Sequence, residues 1–302
     1  MFFSVIIPVI DYNVYLEKNL EYLSKQNIND FEVIIVSENN FKNKLKKNNL
    51  NLKFLFSEKI LRPGQKRNLG AKNSQGKYLV FIDDDAYPKD NWLETAQKNL
   101  LSYNNDKIVL GGPGILCEDE NFFGKCIDLF FTSNYFYSDS YRYKSLAKLN
   151  KQQMDDWPSV NFIISKKFFE DLKGFDEIYW PGEDSKLCEK ISLRYGKIIY
   201  LSDMITYHYK RSNLRKHLKQ IFRYGRHRGI FFKDGDINSF KFKYSIPSFF
   251  LLMHFSIFIN IKFFFTFITM YFLTLILEVF KMDNIKNKKI IFIISRFYIY
   301  FS

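Results

Sequence analysis

The chain is poor in the residues that staple folds together. Of its 302 residues only three are cysteine, Cys117, Cys126 and Cys188, and none forms a Cys-x-x-Cys pair, so neither a disulfide framework nor a cysteine zinc site is supported and a reducing compartment is expected. No basic segment precedes the first apolar run, Phe2 to Val9, and no small-residue cleavage site follows it, so no signal peptide is expected. The stretch Pro8 to Asn13 holds no glycine, which argues against a glycine-rich phosphate loop there. Acids are also short: 45 Lys and Arg stand against 32 Asp and Glu, and 45 − 32 gives a net charge of +13. Such an excess calls for an anionic partner, whether phosphate groups, nucleic acid or an acidic membrane face. The length allows one catalytic domain and an appendage.

What is present begins as alternating strands and helices. Phe2 to Val9, Phe31 to Val36 and Leu52 to Phe56 read as strands, the second apolar enough to be buried on both faces. Between the first two, Tyr15, Leu16, Leu20 and Leu23 fall at helical spacing. A strand, helix, strand opening of this kind is α/β and Rossmann-like, and places ligands beyond the carboxyl ends of the strands. Those ends are Pro8 to Asn13, the Ser37-Glu38-Asn39-Asn40 segment, and Asp83-Asp84-Asp85 after the apolar run Tyr78 to Ile82.

Three adjacent carboxylates repel one another unless a cation or a set of donors meets them. If they continue a strand, Asp83 and Asp85 share a face and Asp84 points away, an arrangement suited to a divalent metal. The plainer account is a solvated acidic turn, with Asp85 or Asp90 capping a helix. Upstream lies Arg62 to Lys72, a short helix carrying Arg67 and Asn68. Downstream lies Trp180-Pro181-Gly182-Glu183-Asp184, a second acidic centre that also suits a helix start. The run Gly111 to Gly114 marks a tight turn with unusual backbone angles and close approach. Tyrosines crowd 134 to 143.

With these motifs the chain resembles a family 2 glycosyltransferase, an inverting enzyme of the GT-A fold that uses a nucleotide-sugar donor, over roughly residues 3 to 230. The resemblance implies a donor site of Pro8, Glu38, Arg67, Asn68, Asp83, Asp84 and Arg223, and Mn²⁺ or Mg²⁺ held by Asp83, Asp85 and His208. It implies Asp184 as the base, with Glu183 its alternative, and an acceptor side formed by Trp180, Asn161, Gln220 and Tyr224. Relatives place an aspartate pair where Ser37 and Glu38 stand, so the base preference departs from the pattern, although a carboxylate still accepts the N3 hydrogen of a uracil. Gln220, Arg223 and Tyr224 match a Gln-x-x-Arg-aromatic pattern of polysaccharide-building relatives, with tyrosine in place of tryptophan.

From Lys210 to Lys243 the only acids are Asp234 and Asp236, and residues 246 to 280 are almost uninterruptedly apolar. A polybasic helix on an anionic leaflet, followed by membrane helices, is expected. The lysines between 281 and 289 place that loop, and the catalytic domain, on the cytoplasmic side. The expectation is therefore a GT-A domain over 1 to 242 and a hydrophobic membrane segment over 243 to 302. A UDP-sugar and a lipid-linked or cell-surface glycan acceptor follow from the resemblance, with no nucleic-acid partner. A processive polysaccharide synthase of the same fold is the alternative. A sugar-nucleotide nucleotidyltransferase lacks its glycine loop here, and a nucleic-acid-binding membrane protein leaves the aspartates unexplained.

Overall fold

The computed structural model describes residues 1–46, 49–60, 62–103, 105–132, 140–236, 239 and 252–281; side chains are described within these except at 130 and 274–281. The chain forms two compact units, residues 1–118 with 141–209, and residues 119–140 with 210–302. The expected domain boundary at 242 lies outside the described residues.

The first unit is built on an eight-stranded sheet in the order β3-β2-β1-β4-β9-β6-β10-β8. β1 (Phe3–Val9), β2 (Phe31–Ser37), β3 (Leu52–Phe56) and β4 (Tyr78–Phe81) run parallel. β9 (Phe162–Ser165) is antiparallel to both β4 and β6 (Ile108–Gly111), and β10 (Lys197–Tyr200) lies between β6 and the short β8 (Gln153–Met154). β1 and β2 are buried along their whole length, as a strand with both faces covered must be.

Alternation divides the core in two. Val5, Ile7, Val33, Ile35 and Val80 face one layer with α1 (Val14–Ser24) and α3 (Trp92–Ser102), whereas Ile6, Ile34, Val36, Leu79 and Phe81 face the other. That second layer receives residues of α2 (Pro63–Lys72), α5 (Lys166–Asp171) and α6 (Glu183–Leu193). A three-stranded sheet, β5 (Ala86–Pro88), β11 (Thr206–His208) and β7 (Gly114–Ile115), brings His208 opposite Ala86. The α/β, Rossmann-like expectation holds for this unit.

Of the glycines at 111 to 114, Gly111 and Gly112 serve packing. None has a positive φ among the described residues. A Cβ at Gly111 would meet the Trp157 ring at 2.7 Å, and one at Gly112 would meet the Met204 carbonyl oxygen at 1.8 Å. The close approach expected there is made by the protein's own chain. Likewise Tyr141, from the tyrosine-rich stretch, stacks on Trp157; residues 134 to 139 of that stretch lie outside the described residues.

The second unit contains α4 (Phe122–Thr132), α7 (Leu214–Lys233) and α8 (Ile261–Lys281). His217 of α7 is buried edge-on to Phe123 and Phe131, and burial, then Arg211, lowers its pKa. Glu120 accepts the Lys210 backbone N–H. The apolar stretch after 246 is not one continuous helix: a turn of 3₁₀ helix at Ser256–Phe258 precedes Asn260, whose side-chain oxygen accepts the Phe263 N–H at the start of α8. Among the described residues no helix is long and apolar enough to cross a membrane. The expected membrane helices over 243 to 302 are therefore not supported, and residues 243–251 and 282–302 lie outside the described part.

Candidate active site

The site gathers at the carboxyl ends of β1, β2 and β4. β4 stops at Phe81, and the three aspartates follow Ile82 in a turn before β5. Strand alternation therefore does not place them, and the turn and its neighbours do. Asn19 of α1 donates to the Asp83 carbonyl oxygen at 3.0 Å, and the Tyr209 N–H donates to the Asp85 carbonyl oxygen at 3.0 Å. Asp84 turns to Asn13, whose amide donates to its carboxylate at 2.7 Å. Burial, then the Asp85 charge, pushes the Asp84 carboxyl up to about 7 against that hydrogen bond.

Asp83 and Asp85 meet His208 of β11. One carboxylate oxygen from each and one imidazole nitrogen lie within 4.8 Å of one another, and His208 Nε2 is 3.2 Å from Asp85 Oδ1. Two carboxylates and an imidazole make a donor set that suits manganese and, less well, magnesium, which prefers oxygen. The residues present fit a divalent cation.

α2 supplies the positive charges. Pro63 occupies its first turn, and Gln65 Oε1 accepts the Arg62 N–H at 3.1 Å, closing the helix start. Arg67 is buried and reaches both acidic centres, with Nη2 2.6 Å from Asp83 Oδ1 and Nη1 2.9 Å from Glu183 Oε1. Burial opposes its charge, but Asp83 and then Glu183 outweigh that cost, and its pKa is raised. Lys66, also buried, donates to the Val9 carbonyl oxygen at 2.7 Å and to Glu38 Oε1 at 3.1 Å, joining the ends of β1 and β2. Sequence reasoning passed over Lys66, Asn13 and Asn19, because each acts through a partner 28 to 71 positions away and no local pattern marks it.

Gly182, at φ 113°, turns the chain into α6 in a conformation that L side chains rarely adopt. Glu183 and Asp184 then sit in the first helical turn, where the helix dipole favours acids. Asp184 is half-buried, and one of its oxygens accepts the Ser185 N–H at 2.8 Å. Burial, then the Glu183 and Asp156 charges, pushes its carboxyl up to about 7, with the Ser185 N–H and Arg67 opposing. A carboxyl poised near neutrality suits proton transfer at physiological pH.

Other expected residues take different places. Pro8 is buried in β1 opposite Val36. Asn68 is engaged by the loop after α5: its amide donates to the Phe175 carbonyl oxygen and to Glu177, and its oxygen accepts the Phe175 N–H, each at 2.9 Å. Asn161 is fully buried between the sheets, accepting from Trp92 Nε1 at 2.9 Å and donating to the Met204 carbonyl oxygen at 2.6 Å. Trp180 is exposed. Gln220, Arg223 and Tyr224 lie on α7 in the second unit, where the Gln220 amide donates to the Tyr224 hydroxyl at 3.3 Å.

A family model described as Glycosyl transferase family 2 matches residues 4–172. "Glycosyltransferase GlyA" of Streptococcus pneumoniae serotype 4 is 26% identical over 231 residues, which are 70% of this chain and 31% of GlyA. A Methanococcus voltae protein named dolichyl N-acetyl-alpha-D-glucosaminyl phosphate 3-beta-D-2,3-diacetamido-2,3-dideoxy-beta-D-glucuronosyltransferase is 21% identical over 249 residues, covering 78% of this chain and 76% of that protein. Among solved structures, Staphylococcus aureus TarS 1-349 in complex with UDP-GlcNAc superposes with a TM-score of 0.55 at 24% identity, over 70% of this chain and 60% of that one. At that identity the likeness is one of fold. The chain thus spans less than a third of GlyA and less than two thirds of the TarS fragment.

Proposed function

The chain belongs to glycosyl transferase family 2, and from that premise we propose that it is a metal-dependent, inverting glycosyltransferase. The donor is a nucleoside-diphosphate sugar, a UDP-sugar in our reading, and the acceptor is a hydroxyl of a lipid-linked glycan. The observation that carries this reading is Arg67, which ties a carboxylate of the Asp83, Asp85 and His208 cluster to Glu183 beside Asp184. One acidic centre thereby serves the leaving group and the other the nucleophile.

Asp83, Asp85 and His208 would hold the cation, which when bound neutralises charge on the departing diphosphate. Asp184 takes the proton from the acceptor hydroxyl as that oxygen attacks the anomeric carbon from the face opposite the diphosphate. Glu183, engaged by Arg67, holds the guanidinium in place. Glu38, held by Lys66 at the end of β2, would accept an imide N–H of the nucleobase. The UDP-GlcNAc complex of TarS supports the donor class, and the name of the Methanococcus relative supports a lipid-linked acceptor.

The same reading puts the enzyme at the cytoplasmic face of a membrane. α7 carries Arg215, Lys216, Lys219, Arg223, Arg226, Arg228 and Lys233 with no acidic residue, a charge pattern suited to an anionic lipid surface. The Gln220, Arg223 and Tyr224 pattern on that helix supports a second reading, a processive synthase, which the length distribution of products on a defined acceptor separates from single transfer.

Calorimetric titration of the full chain with UDP, with Mn²⁺ present and then chelated, tests the proposal. Binding that depends on Mn²⁺ supports it and directs a screen of UDP-sugars. Absence of binding to UDP, GDP, CDP and dTDP under both conditions overturns it.

A further inference from the structure

Ser185 stands between two carboxylates. Its backbone N–H donates to Asp184 Oδ1 at 2.8 Å, and its hydroxyl donates to Asp156 Oδ1 at 3.1 Å. Asp156 is buried, 29 residues away in sequence, on the segment leading into β9. Arg142 in turn holds Asp156, donating from Nη2 to its carbonyl oxygen at 2.8 Å and lying 3.6 Å from Oδ2. We propose that Asp156 is a positioning residue for the Asp184 carboxylate, acting through Ser185 and fixed by Arg142.

A buried charge in this place calls for a role, because an apolar residue would cost less to bury. The geometry gives it one. The Asp156 carboxylate anchors the first turn of α6 through the Ser185 hydroxyl, which fixes the N–H that orients Asp184. Its charge also opposes ionisation of Asp184, second only to Glu183 among charged neighbours, with Arg67 acting the other way. The surroundings are closed: the Trp157 N–H donates to Cys188 Sγ at 3.3 Å, and Tyr141 stacks on Trp157 above the segment. Asp156 therefore touches the first turn of α6 and acts on Asp184 through it.

The inference rests on Asp184 being the base, and the test separates the two. Release of UDP from UDP-GlcNAc, with Mn²⁺ and water as the acceptor, is followed against pH for the wild type, Asp156→Asn and Ser185→Ala. In parallel, the Asp184 carboxyl carbon is titrated by NMR, assigned by its absence from Asp184→Asn. Asp156→Asn is expected to move both the acid limb of turnover and the carbon titration down by about 0.5 to 1 pH unit, since one opposing charge is removed. Ser185→Ala is expected to lower kcat severalfold with the donor KM within about twofold, and Ser185→Thr, which keeps the hydroxyl, to restore it. An Asp184 titration unmoved in folded Asp156→Asn, or wild-type turnover in Ser185→Ala, overturns the positioning role. Full turnover in Asp184→Asn instead overturns the base assignment and the inference with it. If Asp156→Asn does not fold, Ser185→Ala and its threonine rescue decide; if the wild type does not turn over UDP-GlcNAc, the carbon titration decides.

Discussion

Arg67 Nη2 lies 2.6 Å from Asp83 Oδ1, and the other terminal nitrogen of the same guanidinium lies 2.9 Å from Glu183 Oε1. A single planar cation thus joins two acidic centres exactly 100 positions apart in the sequence, Asp83 and Glu183. Arginine suits this place because its fixed fork offers several donors in one plane, whereas a lysine ammonium is a point charge on a flexible stem.

Removing that fork takes the guanidinium away from Asp83 and from the buried Glu183. Arg67→Met is expected to destabilise the first unit by about 3 to 5 kcal/mol, the usual cost of breaking a buried pair, and to abolish UDP binding. Arg67→Lys is expected to recover part of the stability and little of the binding. Thermal melts and titrations of both variants check this, and a melt of Arg67→Met equal to that of the wild type contradicts it.

The cation cluster predicts a different pattern. Asp85→Ala and His208→Ala remove partly exposed ligands, so stability is expected to change less than in Arg67→Met while Mn²⁺-dependent binding of UDP falls at least tenfold, about 1.4 kcal/mol. Chelation is expected to reduce the wild type to the level of the variants. Equal UDP affinity in wild type and Asp85→Ala would sink the metal assignment.

The pH dependence follows from Asp184, whose carboxyl is pushed up to about 7 from 3.8 by burial, Glu183 and Asp156. A base must be ionised, so transfer is expected to rise through an acid limb near pH 7 and level off above it. Stability runs the opposite way. The folded state binds more protons than the unfolded chain between about pH 4 and 7, so this group's contribution declines as pH rises through that window. Asp184→Asn is therefore expected to melt higher than the wild type at pH 8, by about 5 °C or more, and nearly equally at pH 4. Melting curves at the two pH values test the sign, while UDP affinity is expected to be retained.

Asn161 offers a structural prediction. Replacing it with leucine leaves Trp92 Nε1 and the Met204 carbonyl oxygen buried without their partner. A loss of about 2 to 4 kcal/mol is expected, since each abandoned polar group carries its desolvation penalty. Denaturant unfolding measures it, and an unchanged midpoint would show that these hydrogen bonds contribute nothing net.

The sequence by itself determined the parallel α/β opening, because continuous apolar runs such as Val33 to Val36 can be satisfied only in a sheet covered on both faces. Residue type and adjacency also mark Asp83, Asp84 and Asp85 as an acidic cluster, whereas Arg67, Glu183 and Asp184 stand out through the family resemblance. Tertiary structure decided the rest. Asp83 to Asp85 lie beyond the end of β4, so the turn, Asn13, Asn19 and His208 place them, and strand alternation does not. Gly111 and Gly112 are glycines because Trp157 and Met204 press against them, contacts of residues 46 and 92 positions away that no local pattern reveals. Asn161 and Asn68 read as ligand-facing in the chain and are engaged by backbone groups in the fold. Composition and periodicity report what a segment prefers, whereas the direction of a polar side chain is set by whichever buried donor or acceptor the folded chain brings to it.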